Sequence, residues 1–451
     1  MSHPSETLLD ILITDAAVLT MAASPQFIAR ADIGICNGRI RFIRNKNSSI
    51  TDTSNEQARK SIDGHGKLVM PGLINNHTHL PMVLLRGLAD DLSLMEWLNG
   101  FIFPAEGRFM NKETVYAGAM LAMAEMILSG TTTFSDSYFF VNQIARAALD
   151  IGMRGVVCQG FIDFPSPDIP NPLGKIRLAE TFLGRWKDCH HLVKPGLFCH
   201  TPYTCSGETL KEIKALSLAW QVPYFIHLAE TREEVLMIEE KYKTPPVFYL
   251  DALGVLDDQT IAVHCNWLTE AEMDLLRDRN VKVVHCPASN MKLAAGRAPV
   301  PALLRRGVRV GLGTDGAASN NNLDLFREMG MAAKIHKVTE MDPTVVNTET
   351  VLRMATIEGA KLLGIDERIG TVEVEKAADL ILIDLDQPHL TPLYNISSHL
   401  VYAASGSDVS TVIIDGKLIL EDRKFLQIDL AEIMGNTRKI GAKIASELQT
   451  D

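Results

Sequence analysis

Several histidines and one aspartate in this 451-residue sequence are spaced so that they could hold a metal ion. His77 and His79 form a His-Thr-His triplet, and on extended backbone a spacing of two points both imidazoles to the same side. His200, His227 and His264 each close a further apolar run. Asp315 closes another in Gly311-Leu312-Gly313-Thr314-Asp315-Gly316. Neutral imidazoles together with a carboxylate suit a divalent ion, zinc first, with iron or manganese as alternatives of similar ligand taste. No thiolate cluster accompanies them, which argues against a structural zinc-finger site. An ion held this way does hydrolytic work, lowering the pKa of a water from about 16 toward about 7. A single histidine at a strand end is most simply a hydrogen-bonded packing residue; the joint pattern is what points to a site. His3, His190, His191, His336, His389 and His399 fall in loops, helices or outside the repeating region and are given no role. His285, in His285-Cys286-Pro287-Ala288-Ser289-Asn290, is read as shaping a turn.

The elements that must bring these residues together are legible as apolar runs. Eight occur, at Lys67–Ile74, Thr132–Ser135, Gly155–Phe161, Val193–Cys199, Pro223–Ile226, Ile261–Val263, Val281–Val284 and Val308–Leu312. Several are separated by amphipathic stretches such as Glu113–Leu128 and Ala271–Arg279. Eight strand-then-helix units predict an α/β (β/α)8 TIM barrel, whose strand C-termini all open onto one catalytic face. Residues far apart in sequence then converge there. An open doubly wound sheet is the alternative, and no Gly-rich dinucleotide fingerprint follows the first strand to support it. Flanking the barrel are strand-rich ends. Leu12–Leu19 and Ile33–Ile43, the latter turned at Asn37-Gly38, read as strands, with a polar loop from Asn45 to Lys60. Near the other end, Leu380–Leu385, Val401–Ala404 and Val412–Leu420 read as strands, the last turned at Asp415-Gly416. Residues 430–450 read as a solvated helix. We expect residues 1–66 and 369–451 to build one composite β-sandwich around a catalytic barrel of residues 67–368.

Composition excludes several classes of function. The formal net charge is -11 and no Lys/Arg-rich stripe is present, which disfavours a nucleic-acid partner. The apolar stretch Leu8–Ala23 is interrupted by Asp10 and Asp15, so it reads as neither signal peptide nor membrane span. Seven cysteines without a spacing framework suggest reduced thiols. The expectation is a cytoplasmic enzyme acting on a small molecule.

Pro71-Gly72-Leu73-Ile74-Asn75-Asn76-His77-Thr78-His79, followed by the later histidines and aspartate, resembles the amidohydrolase superfamily over nearly the whole chain. Five further motifs are similar to its methylthioadenosine/S-adenosylhomocysteine deaminase branch. These are Leu94-Met95-Glu96-Trp97-Leu98, Phe103-Pro104-Ala105-Glu106, Pro202-Tyr203-Thr204-Cys205-Ser206, His227-Leu228-Ala229-Glu230-Thr231, and the run from Gly313 to Asn321. The resemblance implies one ion, Zn2+ (Fe2+ or Mn2+ being possible), held by His77, His79, His227 and Asp315. Two-metal relatives carry a carbamylated lysine at the end of the fourth strand. Here that strand ends in Phe198-Cys199-His200, and Lys194 lies too early.

By the same resemblance Asp315 accepts the proton of the attacking water, and His264 polarises it or stabilises the tetrahedral intermediate. Glu230 protonates the ring nitrogen beside the attacked carbon. Glu106 accepts the ribose hydroxyls, His200 contacts the nucleoside and Trp97 walls the 5′ substituent. Met82, Leu85 and Met95 are either pocket lining or core. The implied reaction is hydrolytic deamination of the adenine ring of 5′-methylthioadenosine, S-adenosylhomocysteine, adenosine or 5′-deoxyadenosine, and the implied assembly a homo-oligomer. In one respect the sequence departs from the pattern. Relatives that accept the homocysteine tail place arginines in and after the third strand, whereas Gln159 stands at the first position and the second falls near Lys175 or Arg177. Methylthioadenosine is therefore expected to be preferred. Guanine deaminase and triazine-type hydrolases are the rivals within the superfamily, and a non-catalytic interaction protein on the same scaffold is the rival outside it.

Overall fold

The computed structural model describes residues 8–24, 26–46, 56–171 and 174–448. Met1–Pro4, and most of the expected loop between Asn45 and Lys60, lie outside them. Among the described residues, one eight-stranded parallel sheet runs in sequence order through β6 (Leu73–Thr78), β7 (Thr131–Tyr138), β8 (Arg154–Phe161), β9 (Val193–Cys199), β10 (Tyr224–Leu228), β11 (Thr260–His264), β12 (Lys282–His285) and β13 (Val310–Leu312). Helices cross between successive strands, Lys112–Leu128 and Glu270–Asp278 among them. The edges of the sheet meet where the Asp315 N–H donates to the His77 carbonyl at 3.0 Å and the Thr314 N–H to the Asn75 side chain at 3.1 Å. Gly313 permits this approach, since a Cβ there would lie 2.9 Å from the His77 oxygen. The result is a (β/α)8 barrel. Inward-facing Ile74, Val156, Phe225, Val263 and Val284 fill its lower interior as one apolar cluster, leaving mostly polar side chains for the upper rim.

A second sheet joins both ends of the chain. It takes β1 (Leu9–Leu19), β2 (Phe27–Cys36), β3 (Arg39–Asn45), β4 (Ala58–Asp63) and β5 (Lys67–Pro71) from before the barrel. From after it come β14 (Leu380–Asp384), β15 (Val409–Ile414), β16 (Lys417–Glu421) and β17 (Lys424–Phe425). Its order is β17-β16-β15-β14-β5-β1-β2-β3, with β4 also paired to β1. The middle of β1 is irregular around Asp15, whose backbone is left-handed (φ 58°). That break lets the first half of β1 pair with β4 and the second half with β5. Alternating Ile11, Ile13, Ile33, Ile35, Leu380 and Leu382 form the buried layer of this sandwich domain.

Three readings of the sequence are corrected. The run Lys67–Ile74 is two strands, not one. Lys67–Pro71 belongs to the sandwich sheet and only Leu73–Thr78 to the barrel. Gly72 makes the crossing: its N–H donates to Asp379 O, the next N–H donates to Gly130 O, and any Cβ would sit 2.1 Å from the Thr132 side chain. Ala58–Lys60, expected within a loop, begins β4. Val401–Ala404, expected as a strand, begins within the helix Ile396–Tyr402 and runs out past its end; Asn395 caps that helix by accepting the Ser398 N–H. A local cap and a helical pair of buried residues, Leu400 and Val401, outweigh a short β-branched run. The two domains are tied by Arg154 at the foot of β8. Its guanidinium is buried and meets the Asp379 carboxylate at 2.7 and 3.0 Å and Asp415 at 3.1 Å. No described helix is long and apolar enough to cross a membrane. All seven cysteines are free thiols.

Candidate metal centre and active site

At the C-terminal rim of the barrel, β6 delivers His77 and the following His79, β10 delivers His227, and the loop after β13 delivers Asp315. All four are buried, and one ligand atom from each lies within 4.8 Å of the others. The Nε2 atoms of His77 and His79 lie 3.5 and 3.3 Å from Asp315 Oδ1, and the His77 and His227 Nε2 atoms are 3.1 Å apart. Ligands at about 2.0–2.1 Å in a tetrahedral zinc site stand roughly 3.3 Å from one another, so this donor set fits such an ion. Support behind the donors is also in place. The His79 Nδ1–H donates to the Ser137 carbonyl at 2.6 Å, which turns Nε2 inward. Asp315 Oδ2 accepts from Ser289 Oγ at 2.7 Å and Ser319 Oγ at 2.8 Å, leaving Oδ1 for the cluster.

The electrostatics call for a positive charge at the centre. Burial holds His77 down to about 4 and His227 well below the usual imidazole range, so both rings are neutral with lone pairs to give. Burial works against charge on Asp315 too, but the adjoining imidazoles His77 and His79 hold it well below the usual carboxylate range. Burial likewise opposes charge on His79, yet the Asp315 carboxylate carries it up to about 9. The backbone is left-handed at or just past three strand ends, at Ala229 (φ 49°), His264 (φ 70°) and Asp315 (φ 62°). Non-glycine residues adopt this conformation at a cost, and such strain concentrates at functional sites.

Two lobes of one pocket open beside the cluster and share His79, Met82, Leu98 and His200. The inner lobe holds Trp97, Tyr203, Glu230, His264 and Asp315. Glu230 is buried, and its Oε1 stands 3.8 Å from His264 Nε2. Burial raises its pKa, opposed by the neighbouring His264 and aided by Asp315. A carboxyl raised in this way holds its proton more readily, which suits it to act as an acid. The outer lobe holds Glu106 against Phe103, Tyr138, Phe139, Phe161 and Ile162. Glu106 accepts the Tyr138 hydroxyl at 2.6 Å, and burial pushes it up to about 7 although that hydrogen bond pulls the other way. Trp97 and Glu106 come from one nearly continuous helical stretch, Leu94–Phe109, widened by a π turn at Leu98–Ile102. Such turns recur at functional sites. His200 follows β9; burial pushes it down to about 3, and its Nδ1 meets Thr204 Oγ1 at 3.0 Å.

The fold thus brings His77, His79, His200, His227, His264, Asp315, Glu230, Glu106 and Trp97 to one pocket. Met82 lines both lobes, whereas Leu85 is core. His285 faces away from the cluster, with its Nε2 3.2 Å from that of buried His336. Sequence reasoning missed Tyr138, Ser289, Ser319, Glu234, Asn266 and Asn290. Glu234 is buried and accepts both the Ala229 and Glu230 N–H groups, at 2.8 and 2.9 Å, fixing the loop that carries Glu230. Ser289, Asn290 and Ser319 lie inside quoted motifs, where being short polar residues next to a strand end was the available signal. Tyr138 had none.

The amidohydrolase family model matches residues 68–419. A 5-methylthioadenosine/S-adenosylhomocysteine deaminase from Syntrophobacter fumaroxidans is 47% identical over 435 residues, covering 96% of this chain and 98% of that protein. A 5′-deoxyadenosine deaminase from Methanothermobacter thermautotrophicus is 47% identical over 394 residues, covering 86% and 90%. Among solved structures, an adenosine deaminase from Xanthomonas campestris with bound zinc superposes with a TM-score of 0.93 at 37% identity, covering 98% of this chain and all of that one.

Proposed function

The chain belongs to the amidohydrolase family, and from that premise we propose that it is a metal-dependent deaminase that prefers 5′-methylthioadenosine and 5′-deoxyadenosine. The observation that carries the reading is the pair of buried carboxyls, Glu230 in the inner lobe and Glu106 in the outer. They flank a cavity that runs from the metal cluster to an apolar wall. The names of the relatives support an adenosine-type substrate, and the zinc of the similar structure supports zinc as the ion.

His77, His79, His227 and Asp315 would hold the ion. When bound, it supplies the Lewis acidity that makes water a nucleophile near neutral pH. Asp315 takes the proton of the attacking water. His264 holds that water over carbon 6 of the purine, and Glu230 delivers a proton to the adjacent ring nitrogen. Ring protonation drains the electrons that addition pushes into the ring, and general acid help of this kind contributes roughly 10²–10⁴-fold. Glu106 accepts the ribose 2′ and 3′ hydroxyls, for which an ionised carboxylate is the strongest acceptor. The proton taken by Asp315 goes to the amine as it departs, and Glu230 regains its proton from the new hydroxyl as the carbon 6 carbonyl forms, so that water plus an adenine nucleoside gives a hypoxanthine nucleoside plus ammonia.

The outer lobe sets the 5′ group. Its wall of Leu98, Phe103, Phe139, Phe161 and Ile162 suits a hydrogen or methylthio substituent. Gln159 donates to Asp168 at 3.0 Å, Lys175 pairs with Asp163 at 3.2 Å, and Arg177 is exposed on the helix Lys175–Trp186. No described Arg or Lys lines the lobe, so an amino-acid tail would bury its carboxylate without a partner, at a cost of several kcal/mol. Ammonia release from methylthioadenosine, 5′-deoxyadenosine, adenosine, S-adenosylhomocysteine and guanine, measured in parallel, tests both parts. A higher kcat/KM for S-adenosylhomocysteine than for methylthioadenosine overturns the ranking. No ammonia from any adenosine-type substrate, with zinc or manganese supplied, overturns the function.

A further inference from the structure

Behind the catalytic rim runs a chain of buried amides that starts at a main-chain carbonyl and ends at an imidazole. The Asn266 Nδ2 donates to the Glu230 carbonyl at 2.9 Å. A carbonyl only accepts, so this bond fixes which end of the Asn266 amide is nitrogen. Its Oδ1 must then face the other way, where the Asn290 Nδ2 donates to it at 2.8 Å. That fixes Asn290 in turn and leaves its Oδ1 at 2.9 Å from His264 Nδ1. Asn266, Asn290 and His264 are 6, 2 and 1% exposed, so water offers little competition for these partners.

We infer that Asn290, held by Asn266, is a positioning residue that locks His264 as the Nδ1–H tautomer and presents a bare Nε2 lone pair to the pocket. The inference rests on the deaminase reading for its consequence, because it decides between the two roles open to His264. A neutral ring whose Nδ1 carries the hydrogen has nothing to donate from Nε2. It must accept, so it holds the attacking water by taking one of its hydrogen bonds and orients the oxygen lone pair toward the purine. The same chain ends on the backbone of Glu230, whose Oε1 lies 3.8 Å from His264 Nε2. The water-holding group and the ring-protonating group are thereby set in one rigid frame, with Glu234 bracing the Glu230 backbone from the opposite side. None of these amides lines either lobe of the pocket.

The test has two arms on the zinc-loaded full-length protein. In the first, nitrogen NMR of 15N-histidine-labelled protein identifies the His264 signals by their loss in His264→Gln. We expect a pyrrole-type Nδ1 and a pyridine-type Nε2; the reverse assignment overturns the inference whatever the substrate proves to be. In the second, Asn290→Ala and Asn290→Asp are compared for ammonia release from methylthioadenosine, with zinc content checked. Asparagine and aspartate both offer an oxygen to Nδ1–H, whereas alanine offers none. Asn290→Ala should therefore lose about 10–100-fold in kcat with KM within about threefold, the range for removing a supporting partner of a site histidine. Asn290→Asp keeps the oxygen at Nδ1 but has no hydrogen to give the Asn266 Oδ1, so it should recover only part of that loss. Unchanged kcat in Asn290→Ala, or equal loss in both variants, overturns the positioning role. A wild-type protein that deaminates no adenosine-type nucleoside refutes the functional reading alone, since the tautomer is read independently of turnover.

Discussion

The Tyr138–Glu106 pair makes the most direct statement about substrate binding, and Tyr138→Phe isolates it. The substitution removes one oxygen and keeps the buried ring packed beside Phe139. That oxygen donates to Glu106 Oε1 at 2.6 Å, a length characteristic of a charge-assisted bond to an ionised carboxylate. Burial already pushes Glu106 up to about 7, with the tyrosine pulling in the opposite direction. A hydrogen bond to a charged group contributes about 1.5–3 kcal/mol, and one pKa unit corresponds to about 1.4 kcal/mol. Losing the hydroxyl should therefore raise the Glu106 pKa by about 1–2 further units, to roughly 8–9. The sign follows from which form binds ribose. The ionised carboxylate accepts both hydroxyls, so binding strengthens as pH rises through the Glu106 pKa and fades below it. In kcat/KM for methylthioadenosine between about pH 6 and 10, the wild type should reach its plateau near pH 8. Tyr138→Phe should need about 1–2 units more, falling roughly tenfold at pH 7.5 and recovering to within about threefold at high pH. With 2′,3′-dideoxyadenosine, which has no diol to recognise, the two profiles should coincide. Superimposable profiles on methylthioadenosine, or the same displacement on the dideoxy substrate, would refute the assignment of Glu106 to the ribose.

Glu230→Gln should keep its divalent ion, since Glu230 is not in the donor cluster, but should lose about 10²–10⁴-fold in kcat because an amide cannot deliver the ring proton; near-normal turnover would remove Glu230 from proton transfer. Removing the divalent ion with a chelator should abolish ammonia release, and adding back zinc or manganese should restore it; activity persisting in demonstrably metal-free protein would be the contrary result. Glu234→Gln leaves one of two buried N–H groups facing an NH2, so it should cost about 1–3 kcal/mol in urea unfolding and reduce kcat more than KM. Asp379→Ala removes two of the carboxylate contacts of the buried Arg154 guanidinium and leaves Asp415 to pair it, so it should cost about 1–3 kcal/mol in urea unfolding, with residual activity at low temperature close to wild type.

Much of the fold was legible because β-strands advertise themselves by apolar runs and the barrel repeats them. Seven of the eight runs are barrel strands as read. The eighth failed for a reason that periodicity does not carry. Lys67–Pro71 and Leu73–Ile74 are equally apolar, and only the hydrogen-bond partners of Gly72 and Leu73, which lie in different sheets, divide them. Val401–Ala404 failed in the usual direction, with tertiary burial and an asparagine cap overriding local β propensity. The Asn37-Gly38 and Asp415-Gly416 turns were readable because both residues of each adopt positive φ, which few side chains tolerate.

The site divides along a similar physical line. The metal-cluster residues, His200 and His264 were found because each ends or closely follows a strand, and strand ends in a parallel barrel share one rim, whereas Glu230, Glu106 and Trp97 were read from the family resemblance. Those behind them were hidden because their partners are set in three dimensions: Tyr138 reaches a carboxylate 32 positions away, and Asn290 and Asn266 reach His264 and the Glu230 carbonyl. This hidden layer also does what the donor cluster alone cannot. Three imidazoles and a carboxylate specify a cation and a water, which serves any hydrolysis. Turning that into removal of an amine from a nucleoside requires an acid kept protonated, an imidazole kept in one tautomer and a carboxylate kept ionised in an apolar wall. Each of those states is opposed by the ordinary chemistry of the group, and here each is favoured by burial or by a neighbour: the burial that raises the Glu230 carboxyl, the Asn290 oxygen at His264 and the Tyr138 hydroxyl at Glu106. Specificity on this scaffold therefore lies less in which residues face the substrate than in which protonation state their neighbours impose on them.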